Sequence, residues 1–211
     1  MAVEHYNIAQ DSYIELMNRK EVGDSPEDQD LLYKLFETMK KNAIATICFS
    51  VMALESYINT AAAGYLNPSI SEAIDRLDLV SKWTTVLYIA TSIELKRGEY
   101  PLQRLIRTVK HRNKFTHNKS INTPVLYKGF VPHVEIPELH PKNDFMAPAY
   151  DALLAVRDMA LWTGGNWAGC SLWLWNQDYD SKVRPKFQEV KNIWTFSEDY
   201  SILCDYNDVI C

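Results

Sequence analysis

From Glu27 to Ala63 the chain contains neither glycine nor proline, and this run constrains the fold more than any other feature. Ser25-Pro26 stands before it, with Glu27 and Asp28 directly after. A serine cap, a proline at the first helical position and acids in the first turn are helix-start signals. Leu32, Leu35, Met39, Ala43 and Ile47 then recur at helical spacing. The pattern predicts one helix of about forty residues, some ~60 Å long at 1.5 Å rise per residue, with room for a kink. Its middle, Ile44 to Leu54, is nearly all apolar. Glu55 interrupts that stretch, and a charge at such depth costs about 3 kcal/mol on membrane-insertion scales. A helix at the centre of a bundle is therefore expected, with no membrane partner.

The other segments fit the same class. A first helix is expected over 4–19 and a short one from Ser69 or Ser71 through Leu77. Another is expected over 80–95, ended by the turn Lys96-Arg97-Gly98-Glu99-Tyr100. Pro101 opens a helix with the stripe Leu102, Leu105, Ile106 and Val109. A last helix is expected over 148–162, stopped by Gly164-Gly165 and carrying Arg157 on its apolar face. Residues 121–147 hold four of the nine prolines and predict an irregular connector, with a short strand pair near 125–127 and 134–136. Residues 165–211 predict a Trp-rich extension packed on the bundle. With 211 residues, 47% of them hydrophobic, one all-α domain over the whole chain is expected.

The four cysteines are widely spaced, with no metal-ligand pattern, and the N-terminus has no signal-like segment. Free thiols, a cytoplasmic location and no structural metal are the expectations. A net charge of -5 excludes a protein that coats nucleic acid with its whole surface. A polyanion would have to meet a local patch.

Such a patch exists in the sequence. Between Arg104 and Lys119, eight of sixteen residues are Arg, Lys or His and none is acidic. Helical spacing of about 100° per residue puts Arg104, Arg107, Lys110, His111 and Lys114 on one broad face, away from the apolar stripe. The patch ends in Arg112-Asn113-Lys114-Phe115-Thr116-His117. Arg112 and His117 lie five residues apart, about 140° around an ideal helix. They converge only if the helix unwinds near Phe115 or a second copy supplies the partner. Glu55 and Asn59 lie one turn apart on the long helix. The carboxylate there either is buried against a cation, Arg157 or a basic residue of the motif helix, or faces solvent at an edge.

This hexapeptide resembles the Arg, polar residue, three variable residues, His signature of the HEPN superfamily, compact all-helical proteins many of which are RNases. The order of elements is similar too, from the long helix with Ala53-Leu54-Glu55-Ser56-Tyr57-Ile58-Asn59, through Leu79-Val80-Ser81-Lys82-Trp83, to the motif helix. The resemblance covers about residues 28 to 120 and the helix from Pro148. It implies a HEPN-like helical bundle and metal-independent, cofactor-free cleavage of RNA in a homodimer whose two motifs face each other. His117 would then move the proton of the attacking 2′-hydroxyl or of the leaving oxygen. Arg112 would stabilise the phosphorane charge and Asn113 would orient one of them. Arg107, Lys114 and Lys119 would contact the RNA backbone, and Glu55 and Asn59 would support the site. A toxin or antiviral effector restrained by an antitoxin-like protein is the implied setting. Two other readings stand beside it: a catalytically silent module that binds RNA, nucleotide or protein through the same patch, and a structural helical protein in which the match is accidental.

Overall fold

The computed structural model describes residues 1–19, 25–117, 126–128, 131–133 and 145–167, with only the backbone of His117 and of the residues in the two short strands. Six helices make up almost all of it: α1 (Ala2–Asn18), α2 (Pro26–Tyr65), α3 (Pro68–Asp75), α4 (Leu79–Thr91), α5 (Tyr100–His117) and α6 (Met146–Asn166). The class is all-α, as the sequence predicts.

The long helix forms as one continuous element of 40 residues. Ser25 caps it, accepting from the Asp28 backbone N–H at 3.1 Å and donating to the Asp28 carboxylate at 2.6 Å. α1 runs alongside α2, while α3, α4, α5 and α6 also pack on α2. By length and composition α2 is apolar enough to cross a bilayer; here it is the central element of the bundle. Val51, Leu54 and Ile58 of α2 meet Trp83 and Leu87 of α4, Leu102 and Leu105 of α5, and Met159 of α6 in one core cluster. Trp83 is fully buried, its ring stacked on Tyr57 at 5.7 Å.

Two helix ends depart from expectation by four residues each. α4 stops at Thr91, four residues before Leu95, because Ser92 takes a left-handed conformation (φ 59°). The Ser92 N–H closes the last turn on the Tyr88 carbonyl at 2.8 Å, and Thr91 Oγ1 accepts from the Ile93 N–H at 3.0 Å. That local hydroxyl bond gives the backbone an alternative to further helix. α6 conversely passes through Gly164-Gly165 and ends after Asn166. Trp167 closes its last turn, donating to the Thr163 carbonyl at 2.8 Å, and buries its ring against Tyr65. Burial of that aromatic outweighs the helix penalty of two glycines, about 1 kcal/mol each.

β1 (Leu126–Lys128) pairs antiparallel with β2 (Val131–His133), Tyr127 opposite Pro132. The expected strand pair is present, with its second strand three residues earlier than 134–136. The rest of the 121–147 connector up to 144, and the extension beyond Trp167, lie outside the described residues.

Candidate basic site on helix α5

Opening at Tyr100-Pro101, α5 buries Leu102 and Leu105 completely. Arg104 is the correction to the expected basic face. It is fully buried rather than displayed with Arg107 and Lys114, because α6 brings two acids to it. Asp151 and Asp158, seven residues apart, share one face of α6, and both are buried. Arg104 Nη1 donates to Asp158 Oδ2, while Arg104 Nε stands 2.8 Å from Asp151 Oδ1, within ion-pair range though not aligned as a hydrogen bond. The Arg104 guanidinium also lies over the Tyr100 ring, 4.3 Å from its centroid. Arg107 Nε reaches Asp151 Oδ2 at 3.3 Å, and Arg157 pairs with the neighbouring Asp158 at 3.2 Å. A buried charge must be matched by opposite charge, and the acids absent from the basic run are supplied from another helix.

What remains on the solvent side of α5 is Gln103, Arg107, Lys110, Asn113, Lys114 and Thr116, all exposed. Spacings of three and four residues make Gln103, Arg107, Lys110 and Lys114 neighbours along one face, while Asn113 and Thr116 turn away from it. Lys110 and Lys114 form no ion pair with another described residue, and Arg107 is 47% exposed despite its contact with Asp151. This is a positive surface reachable by a polyanion.

Arg112 points elsewhere. Seven residues past Leu105 and four past Thr108, it continues the buried side of α5 toward α2. It is half-buried, and its Nε has no hydrogen-bond partner among the described residues. Its charge acts on Cys48 of α2, a half-buried free thiol that burial pushes above its ordinary pKa and Arg112 pulls down. α5 continues without a break to His117, so the helix does not unwind at Phe115. Positions 112 and 117 therefore stay about 140° apart around the axis. Asn113 is exposed beside Arg112, and Lys119 lies outside the described residues.

Glu55 and Asn59 have a cationic partner, which is neither Arg157 nor a residue of α5. Lys82 of α4 buries its stem and bonds Asn59 Oδ1 at 3.0 Å and Asp75 Oδ1 at 3.1 Å, with Glu55 Oε1 at 4.0 Å. Asn59 lies eleven residues beyond Cys48, about 16 Å along α2, so this cluster and Arg112 occupy separate stretches of the bundle. A cleft of about 460 Å³ beside it is lined by Asn59, Ala62, Ala63, Ser71, Glu72 and Asp75. Its carboxylates would repel phosphate.

His111 carries no motif, yet its surroundings displace its titration. It is half-buried on α5, its ring stacked on Phe115, which in turn lies on Phe145 ahead of α6. Burial holds it below its ordinary pKa; Asp151 opposes this, and Lys114 and Arg107 add to it. The available signal was its register, four residues after Arg107 and three before Lys114. Among the described residues no group of three His, Cys, Asp or Glu side chains is arranged to hold a metal ion.

Compared with protein-family models, curated proteins and solved structures, the chain matches none.

Proposed function

We propose that the chain is a HEPN-like, metal-independent endoribonuclease that acts as a homodimer. The observation that carries this is the division of labour among the arginines of α5. Arg104 is consumed by Asp151 and Asp158, whereas Arg112, at the motif, makes no ion pair with a described residue and its Nε finds no hydrogen-bond partner among them. A guanidinium left partly desolvated and unmatched is suited to a phosphate oxygen, which it can bind through two parallel hydrogen bonds. Arg107, Lys110 and Lys114 along the exposed face supply sequence-independent backbone contacts, which weaken with salt.

Because α5 is unbroken, one copy of the motif does not bring Arg112 and His117 together. Two copies meeting at their α5 ends would set an arginine from one opposite a histidine from the other, with Asn113 orienting the pair. In that arrangement one imidazole takes the proton of the 2′-hydroxyl as it attacks phosphorus. The imidazolium so formed returns that proton to the leaving 5′-oxygen, and the guanidinium stabilises the pentacoordinate charge. A toxin or antiviral effector restrained by a protein partner, working in the cytoplasm, is the setting proposed for such an activity.

A silent polyanion-binding module is the second reading, favoured by the separation of Arg112 from position 117 within one protomer. Incubation of the purified protein with RNA in EDTA distinguishes them. The nuclease reading expects cleavage by wild type and none by His117→Ala or Arg112→Ala with helicity unchanged. Cleavage undiminished in either variant removes the assignment, and binding without turnover selects the second reading.

A further inference from the structure

We propose that Arg107, His111 and Lys114 form one phosphate-binding subsite on α5, in which His111 takes up a proton as the anion binds. The proposal rests on the reading of this face as a polyanion surface and adds a titrating ligand to it. Arg107 stands one turn before His111 and Lys114 one turn after, so the three side chains adjoin on the helix. Arg107 and Lys114 are exposed, whereas His111 is half-buried between them. The ring is held in place by Phe115, itself packed on Phe145.

Among the described residues, the charged groups acting on His111 are Arg107 and Lys114 from its own helix and Asp151 from α6. Asp151, engaged by Arg104 through one oxygen and by Arg107 through the other, favours the charged imidazole more than either cation disfavours it, but burial of the ring outweighs it. In the free protein the ring therefore sits partly desolvated between two cations, and its neutral form is favoured. A phosphodiester lying across Arg107 and Lys114 reverses the local field. The imidazole then takes a proton from solvent and, as imidazolium, donates a hydrogen bond to a phosphate oxygen. No bond other than N–H forms, and the charge gained is matched by the anion. Linkage requires the converse: acid that charges His111 must tighten the anion.

The test uses a fluorescent single-stranded 2′-O-methyl RNA, which has no nucleophilic hydroxyl, titrated with the full chain in EDTA at constant ionic strength. Affinity is measured from about pH 8 to about pH 5, the range over which an imidazole charges. For wild type the dissociation constant is expected to fall with pH, with a slope up to about tenfold per pH unit from this proton. His111→Gln is expected to bind more weakly than wild type at low pH and to lose that part of the slope. Lys114→Gln is expected to weaken binding at every pH. An unchanged slope in His111→Gln overturns the coupling while leaving the polyanion surface standing. Absence of binding by wild type at all pH values overturns both. Should His111→Gln fail to fold, the wild-type His111 ring is followed by NMR with and without the RNA. An upward move of its titration midpoint supports the coupling, and an unmoved midpoint overturns it.

Discussion

Arg104 of α5, with its guanidinium wholly out of solvent, donates to Asp158 of α6, and this pair welds the motif helix to the bundle. Removal of one partner from a buried pair leaves an uncompensated charge, which costs about 3 kcal/mol. Asp158→Ala is expected to lower the unfolding free energy by about that amount in urea denaturation. A loss below about 1 kcal/mol, the range of an exposed ion pair, would show that the pair does not anchor α5.

Acid should destabilise the molecule through His111. Its folded pKa is depressed, by burial first and then by Lys114 and Arg107, so at pH values between the folded and unfolded pKa the unfolded chain binds more protons. Stability from this group is then present above the ordinary histidine range and is lost as pH falls through the folded pKa. His111→Gln is expected to flatten that part of the curve of melting temperature against pH. A curve identical in shape to wild type would contradict the burial ascribed to the ring.

The Lys82 cluster lies apart from the basic face. Lys82→Ala is expected to cost about 1–2 kcal/mol, from the lost charge-assisted bonds to Asn59 and Asp75. Glu55→Gln and Asn59→Ala are expected to leave RNA cleavage within about twofold of wild type, since cleavage depends on geometry at the motif, and the stretch of α2 that meets Arg112 at Cys48 lies about 10 Å from Glu55 and about 16 Å from Asn59 along the helix. A tenfold loss in either variant would bring these side chains back into the site.

Much of this architecture is legible in the residues. Ser25-Pro26 and the apolar series behind it specify α2, and Pro101 marks a further start, because caps and prolines act within one turn. Helix ends are less so. Ser92 stops α4 and Trp167 carries α6 past two glycines, one through a local backbone bond and the other through a ring packed on Tyr65, and the latter contact is invisible in local sequence. The basic run shows the same limit. Its charges were plain, but Arg104 belongs to the core because Asp151 and Asp158, some fifty residues later, face it. Two acids seven apart on a helix whose one other charged residue is Arg157 were the available sign. For the motif itself, the rotation between positions 112 and 117 follows from spacing alone, whereas the continuity of α5 past Phe115 does not. The turn of Arg112 toward Cys48 needed the packing of α5 on α2.

The central claim is that two copies complete one catalytic site. Arg112→Ala and His117→Ala chains, co-expressed with different tags and isolated through both, give a mixed dimer that retains one Arg112 and one His117. Incubated with RNA in EDTA, that mixed dimer is expected to cleave while each variant alone does not. A mixed dimer as inert as its parents, or a parent variant that cuts like wild type, would contradict the shared site.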